Sequence, residues 1–233
     1  MNLRELFLTE NACYKAGGKI EPKGIMVHST GVNNPNLRRY VGPDDGFLGF
    51  NPYNNHWNQD RPNGKKVCVH AFIGKLKDGS IATYQTLPWN HRGWHAGGDA
   101  NNTHISFEIC EDDLTDSSYF NAVYREAVEL CAYLCRLHNL SEKDIIGHYE
   151  GHQKGIASNH SDPGHWFTRH GRSMNTFRSD VLTLLNDSSI PDEQDKRKYY
   201  RVQIGAYTIR ANAEAQLAKA KKAGFTDAFI RYD

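Results

Sequence analysis

Histidine is the residue that stands out in this chain, with twelve among 233 residues. Imidazole is the commonest metal ligand and titrates near neutral pH. A catalytic zinc site takes three protein ligands, usually from elements far apart in sequence, and keeps one position open. His28, His148 and Asp162 meet that description. His28 closes the run GIMVHST, His148 follows Gly147, and Asp162 lies in Ser161-Asp162-Pro163-Gly164. A histidine taken alone is ordinarily a surface or satisfied core residue, so the surrounding elements must carry the argument. His152 and His165 lie in the same stretch and could replace either ligand.

The elements that must position these groups can be read from periodicity. Residues 24–30 form a short buried strand with Ile25 and Val27 on one face and Met26 and His28 on the other. In residues 104–110, Ile105, Phe107 and Ile109 alternate with Ser106, Glu108 and Cys110, which puts Glu108 on the face opposite the isoleucines. Residues 67–76 and 81–87 flank Lys77-Asp78-Gly79-Ser80, a hairpin signal. Residues 37–66 are rich in Asn, Pro, Gly and Asp and read as a long irregular loop of the kind that lines sites.

Further along, Phe120, Val123, Ala127, Cys131 and Leu134 recur at helical spacing over 119–138, with Asp116 or Ser117 as the cap. Cys131 and Cys135 share the buried side of that helix, where core packing explains them. A capped turn at 141–144 leads to Gly147-His148, and a loop rich in glycine and histidine runs to Trp166. A last core helix spans 174–185 with Phe177, Val181 and Leu184 inward. The expected fold is α/β: a mixed central β-sheet flanked by helices, with a zinc cleft at the strand ends.

That domain is expected to occupy residues 1–186. Residues 187–198, DSSIPDEQDKRK, have little to bury and read as a linker. Residues 199–233 read as a small β-α-β unit, with strands at 200–206 and 228–232 around a helix at 212–223 that Gly224 stops. Such a unit is too small to bury an adequate core alone, so it should pair with a second copy or dock on a larger body.

Composition excludes several classes. Lys+Arg of 28 against Asp+Glu of 27 gives a formal charge of +1, without the basic stripe that neutralises phosphates, so nucleic acid is not the expected partner. No stretch is long enough for membrane insertion. The amino terminus, MNLRELFLTENACYK, lacks the continuous apolar core of a secretory signal. The five cysteines are odd in number and lack paired spacing, which leads to the expectation of a reduced compartment.

Taken in order, GIMVHST, Trp94-His95-Ala96-Gly97, Asn102 through Glu108, Gly147-His148 and Ser161-Asp162-Pro163-Gly164 resemble the zinc N-acetylmuramoyl-L-alanine amidases of the type-2 class, relatives of the peptidoglycan recognition proteins. The likeness runs over about residues 20–182. It implies Zn2+ held by His28, His148 and Asp162, with Glu108 as the catalytic acidic residue. In the implied scheme Glu108 takes the proton of a zinc-activated water and passes it to the departing amine. His160 stands two positions before the third ligand, where lysine is common, and is the expected oxyanion donor. An imidazole with an unperturbed pKa near ~6.5 is only partly protonated at neutrality, so a cationic role for His160 would make activity fall at alkaline pH. Trp94, His95 and Asn102 match motifs that line the substrate groove. His70 matches a groove histidine that some phage members precede with tyrosine; Val69 stands there in this chain, so no tyrosine role transfers.

The last segment resembles one half of a SPOR domain, the sporulation-related repeat that binds wall glycan, and implies pairing into a homodimer through residues 199–233 or wall binding. The resulting expectation is an amidase that cuts between the muramyl lactyl group and L-alanine of peptidoglycan. It would be a phage or prophage endolysin made in the cytoplasm without a signal peptide and acting on the wall after release. The alternative is a non-catalytic peptidoglycan-binding receptor.

Overall fold

In the computed structural model, which describes residues 1–187, 205–225 and 228–230, the two alternating runs that carry His28 and Glu108 lie side by side. The elements in chain order are β1 (Leu3–Glu5), α1 (Ala12–Ala16), β2 (Gly24–Ser29), β3 (Ala71–Lys75), β4 (Ile81–Gln85), β5 (His104–Ile109), α2 (Ser117–His138), β6 (Ile145–Gly147), α3 (His148–Gln153), α4 (Gly164–Phe167), α5 (Met174–Asn186) and α6 (Arg210–Lys222). The strands form one sheet in the order β1-β4-β3-β5-β2-β6. Pairing is parallel except for the β3–β4 hairpin. Parallel strands are buried on both faces, and all six residues of β2 are buried.

Alternation divides the side chains between two layers. Ile25, Val27, Ile105, Phe107 and Ile109 pack against α2 and α5, and the opposite face carries Met26 and Ile146 against Ala96 and Ala100. Helix α2 starts where Asp116 accepts from the backbone N–H groups of Ser118 and Tyr119, and it stops at Asn139 in the left-handed conformation. The long connection between β2 and β3 is not simply a solvent loop. Its Leu37, Tyr40, Val41 and Leu48 cover Phe72 and Tyr84 in a second apolar layer.

Five elements, β1, α1, β6, α3 and α4, were not evident in the sequence. Strand β1 is a three-residue edge strand, too short to show alternation. It is tied to α2 through Glu126, which accepts from the Asn2 N–H at 2.7 Å and from the Thr83 hydroxyl at 2.9 Å. Helix α3 replaces part of the expected glycine- and histidine-rich loop. HYEGHQ has no apolar period, but the Glu150 carboxylate accepts from the Gly147 N–H at 2.9 Å and takes both Arg178 guanidinium nitrogens at 2.9 Å.

The cysteines correct a second expectation. Cys13 and Cys68, 55 residues apart, form a disulfide, and Cys110, Cys131 and Cys135 are free and buried. Pairing of this kind belongs to oxidising surroundings rather than to a reduced compartment. The sequence could not show it, because the partners meet only when α1 packs beside the segment leading to β3.

The chain divides into two compact units, Met1–Gln194 and Asp195–Asp233. In the second, α6 forms where a helix was expected and Gly224 follows it at φ +101°. The expected linker and the first flanking strand fall largely outside the described residues. Residues 228–230 have no strand assignment, and the rest of that expected strand also lies outside them. Among the described residues no helix is long and apolar enough to cross a membrane.

Candidate metal centre

Three backbone devices bring the cluster together. The carboxyl end of β2 supplies His28, the junction of β6 and α3 supplies His148, and the segment between α3 and α4 supplies Asp162, whose carbonyl accepts from the Tyr149 N–H at 3.2 Å. All three side chains are buried, and one ligand atom from each lies within 4.8 Å of the others. His28 Nδ1 is 3.0 Å from one Asp162 oxygen and His148 Nδ1 is 3.4 Å from the other.

The remaining ring nitrogens are also engaged. His28 Nε2 lies 3.0 Å from His95 Nδ1, and His148 Nε2 lies 3.3 Å from Ser158 Oγ. That hydroxyl donates to the Ala96 carbonyl at 3.0 Å. The contacts at each Nε2 fix the ring orientations and turn both Nδ1 atoms toward Asp162, the arrangement in which outer partners orient metal-binding histidines. Two imidazoles and one carboxylate, with no fourth protein ligand among the described residues, form a cluster that could hold a metal ion.

Electrostatics agree with that reading. Burial alone would raise the Asp162 pKa, but hydrogen bonds from His148 and His28 override it and hold the carboxyl well below the usual range. Burial lowers His28 despite the opposing carboxylate of Asp162. His95 is driven well below its ordinary value by burial, then by His28 and His70. Asp162 is thus held as the carboxylate while burial disfavours the charged form of His28, and both tendencies favour binding of a cation.

Glu108 stands beside this cluster. It is the register partner of His28 and lies on the face of β5 opposite Ile105, Phe107 and Ile109. Its Oε2 is buried and has no hydrogen-bond partner among the described residues. Burial, then the charges of Asp162 and Glu111, push its pKa well above the usual carboxylate range. A carboxyl with one oxygen buried and unbonded next to a ligand cluster has the properties of a proton-transfer group.

The other expected site residues separate into three groups. His160 is exposed on the cluster's rim, its ring stacked on that of His148 at 4.5 Å and its Nδ1 3.1 Å from Ser158 Oγ. Trp94 is 45% exposed, with the Arg92 guanidinium 5.2 Å over its ring, and Arg92 donates to the Asn102 side chain at 2.7 Å. Asn102 is therefore joined to Trp94 through Arg92. His70, expected in the groove, is fully buried. It donates from Nε2 to the His91 carbonyl at 2.7 Å and accepts at Nδ1 from the Ser106 N–H at 3.0 Å, and burial pushes its pKa down to about 4. It supports the wall from behind rather than facing solvent. His152 and His165 do not join the cluster: His152 Nδ1 lies 3.3 Å from the Ala157 carbonyl, and His165 pairs with Glu111 at 2.9 Å. The pairing of His95 with His28 and the position of Ser158 between His148 and His160 had no sequence signal, because each depends on loops meeting across the fold.

The mixed sheet with its buried two-histidine, one-carboxylate cluster at the strand ends defines an α/β amidase-type domain. The sequence profile described as N-acetylmuramoyl-L-alanine amidase matches residues 18–165, and the chain belongs to that family of peptidoglycan amide hydrolases. Residues 178–232 match the SPOR domain profile, a match that begins within α5, upstream of residue 199. Similar solved structures include PlyL, at 20% identity over 78% of this chain and 96% of that one with a TM-score of 0.55. The Staphylococcus aureus hydrolase AmiA, solved with its ligand, is 19% identical over 79% and 83% with a TM-score of 0.57. A mutant endolysin from Bacillus subtilis is 24% identical over 78% and 99% with a TM-score of 0.53. These likenesses show the fold. No curated protein matches the chain.

Proposed function

We propose that the chain is a zinc-dependent N-acetylmuramoyl-L-alanine amidase that hydrolyses the amide between the muramyl lactyl group and L-alanine of peptidoglycan. The observation that carries this reading is the convergence of His28, His148 and Asp162 with Glu108 in register beside His28. Zinc is the metal of choice for two imidazoles and a carboxylate with an open position, and it supplies Lewis acidity that polarises the scissile carbonyl and acidifies water.

The chain's own residues do the rest. His28, His148 and Asp162 hold the ion, and Glu108 takes the proton of the attacking water and delivers it to the departing amine of the stem peptide. His160, on the rim beside His148, donates to the carbonyl oxygen as charge develops there. Trp94, His95 and Asn102 form or brace the groove wall. Residues 1–186 are the catalytic part, 187–198 the linker, and 199–233 a wall-binding or pairing unit.

A phage or prophage endolysin is the source this reading favours. The Cys13–Cys68 disulfide fits a place of action outside the cytoplasm. Metal content of the purified protein, together with release of stem-peptide amines from purified walls with and without chelator, tests the proposal. Bound zinc with chelator-sensitive amine release is expected. Zinc without amine release would instead identify a receptor, and reducing sugar ends would move the cleavage to the glycan. Gel filtration of the full chain against a chain ending at residue 198 tests pairing, with a dimer expected only for the former.

A further inference from the structure

The long connection between β2 and β3 holds two aromatic rings out into water on a fixed frame. Phe50 is 76% exposed and Tyr53 is 81% exposed. Pro52 and Asn54 beside them are exposed too. Leaving rings of that size in water forgoes hydrophobic burial, and among the described residues of the first unit nothing covers either one.

The frame that presents them is heavily bonded. Asp44 Oδ1 accepts from the Gly46 and Gly49 N–H groups, both at 2.9 Å, and Asp45 Oδ1 accepts from Phe47 at 2.9 Å and Leu48 at 3.2 Å. The other Asp45 oxygen takes the Tyr84 hydroxyl of β4 at 2.6 Å. Leu48 is buried as an anchor against Phe72 and Tyr84. Asn51 donates to the Arg38 carbonyl at 2.8 Å and accepts from the Tyr53 N–H at 3.1 Å, and Gln59 donates to the Asn54 carbonyl at 2.6 Å. A segment tied down this thoroughly has no need to leave aromatic rings exposed for packing reasons.

The position of the frame says what would use the rings. Strand β3 runs parallel to β5, and its carboxyl end leads into the turn where the Lys77 N–H donates to the Phe47 carbonyl at 3.0 Å. The platform therefore stands at the same end of the sheet as His28 and Glu108. Strands β3 and β2 flank β5, a lateral offset of about 10 Å at ~4.8 Å per strand.

We propose that Phe50 and Tyr53 form a saccharide-binding platform that stacks on N-acetylhexosamine rings of a glycan strand whose stem peptide lies in the metal centre. A pyranose offers a face of C–H groups and a rim of hydroxyl and acetamido groups. Exposed aromatic faces meet the first, and the neighbouring Asn54 amide meets the second. Around the rings the carboxylates of Asp44 and Asp45 stand among cations, with Arg4 3.8 Å over the Phe47 ring and Arg39 donating to the Asn55 carbonyl at 2.5 Å, so neither sign prevails and the platform suits a neutral polymer rather than an anionic polymer or a membrane surface. The proposal rests on the amidase reading for its choice of glycan.

The full-length protein with ¹³C-labelled aromatic residues, titrated with chitotetraose, tests it directly. Ring signals of Phe50 and Tyr53 should shift, and the F50A/Y53A double variant should raise KM for insoluble walls about tenfold while leaving kcat/KM on a soluble muramyl-tripeptide unchanged. Both rings are exposed, so the variant keeps its core. Unshifted loop rings, an unchanged KM for walls, or an equal loss on the soluble substrate would each overturn the platform. Chitotetraose has no stem-peptide amide, so failure of the amidase reading shows separately, as absence of amine release by the unsubstituted protein.

Discussion

His28 and Glu108 are register partners on the adjacent parallel strands β2 and β5. Paired residues on neighbouring strands point to the same face of a sheet, so a candidate ligand and a candidate proton carrier are held together by backbone pairing, without reliance on side-chain reach. That face lies opposite the apolar layer packed on α2 and α5. Fixing both groups on strands favours the precision that catalysis needs.

The first prediction concerns Glu108. Glu108→Gln should retain the metal and lose roughly 10²–10⁴-fold in amide hydrolysis. The same substitution should stabilise the metal-free protein at neutral pH. A carboxyl whose folded pKa is raised contributes stability that is fully present below its unfolded value, near ~4.3, and is lost as pH rises through the folded value. Gln imitates the protonated form, so the gain in Tm should appear at pH 7 and vanish at about pH 4. Equal Tm values at both pH settings would show that Glu108 is not held against its ionisation.

His95 should act through His28. Its Nδ1 faces His28 Nε2 at 3.0 Å, and loss of such an outer partner typically costs about 10–100-fold in metal affinity. His95→Ala should therefore weaken zinc in competition with a chelating dye, and excess zinc should restore much of its activity. A variant with normal zinc affinity and lasting inactivity would assign His95 to substrate instead.

For His160 the expected change is in turnover. Removing an oxyanion donor costs about 10²–10³-fold in kcat, so His160→Ala should lose that much with KM and zinc content little altered. His160→Lys should recover part of the rate. If His160→Ala instead releases zinc, the ring's stacking on His148 is its function.

The disulfide should matter to stability. Closing a loop of 55 residues removes unfolded-state entropy worth about 4 kcal/mol in the chain-entropy model. Urea unfolding of the Cys13→Ser/Cys68→Ser variant, or of the reduced protein, should show a loss of that order. The bonded segment also frames the groove, because Cys68 and Trp94 exchange backbone hydrogen bonds at 3.1 Å in both directions. An unchanged unfolding curve under reducing conditions would mean that the two thiols are not paired in solution.

Much of the fold was legible because its signals are local. Strands β2 and β5 alternate, the β3–β4 hairpin has Asp78-Gly79 at its turn, and α2 carries both period and cap within its own residues. The candidate ligands were legible for a related reason: His28 ends a strand and His148 follows a glycine, positions that short sequence patterns record. Strand β1 and helix α3 were not, since an edge strand of three residues has no period and α3 depends on an Arg178–Glu150 pair spanning 28 residues.

The sequence by itself determined which side chains can do chemistry and on which strand faces they stand, because alternation and capping are properties of neighbouring residues. Tertiary structure decided which of the twelve histidines meet. It placed His70 behind the wall, paired His165 with Glu111, gave His28 to His95 and joined Cys13 to Cys68. Each of those contacts joins segments distant in the chain, and their distances are set by how the sheet and its long connections pack rather than by the spacing of residues along the sequence.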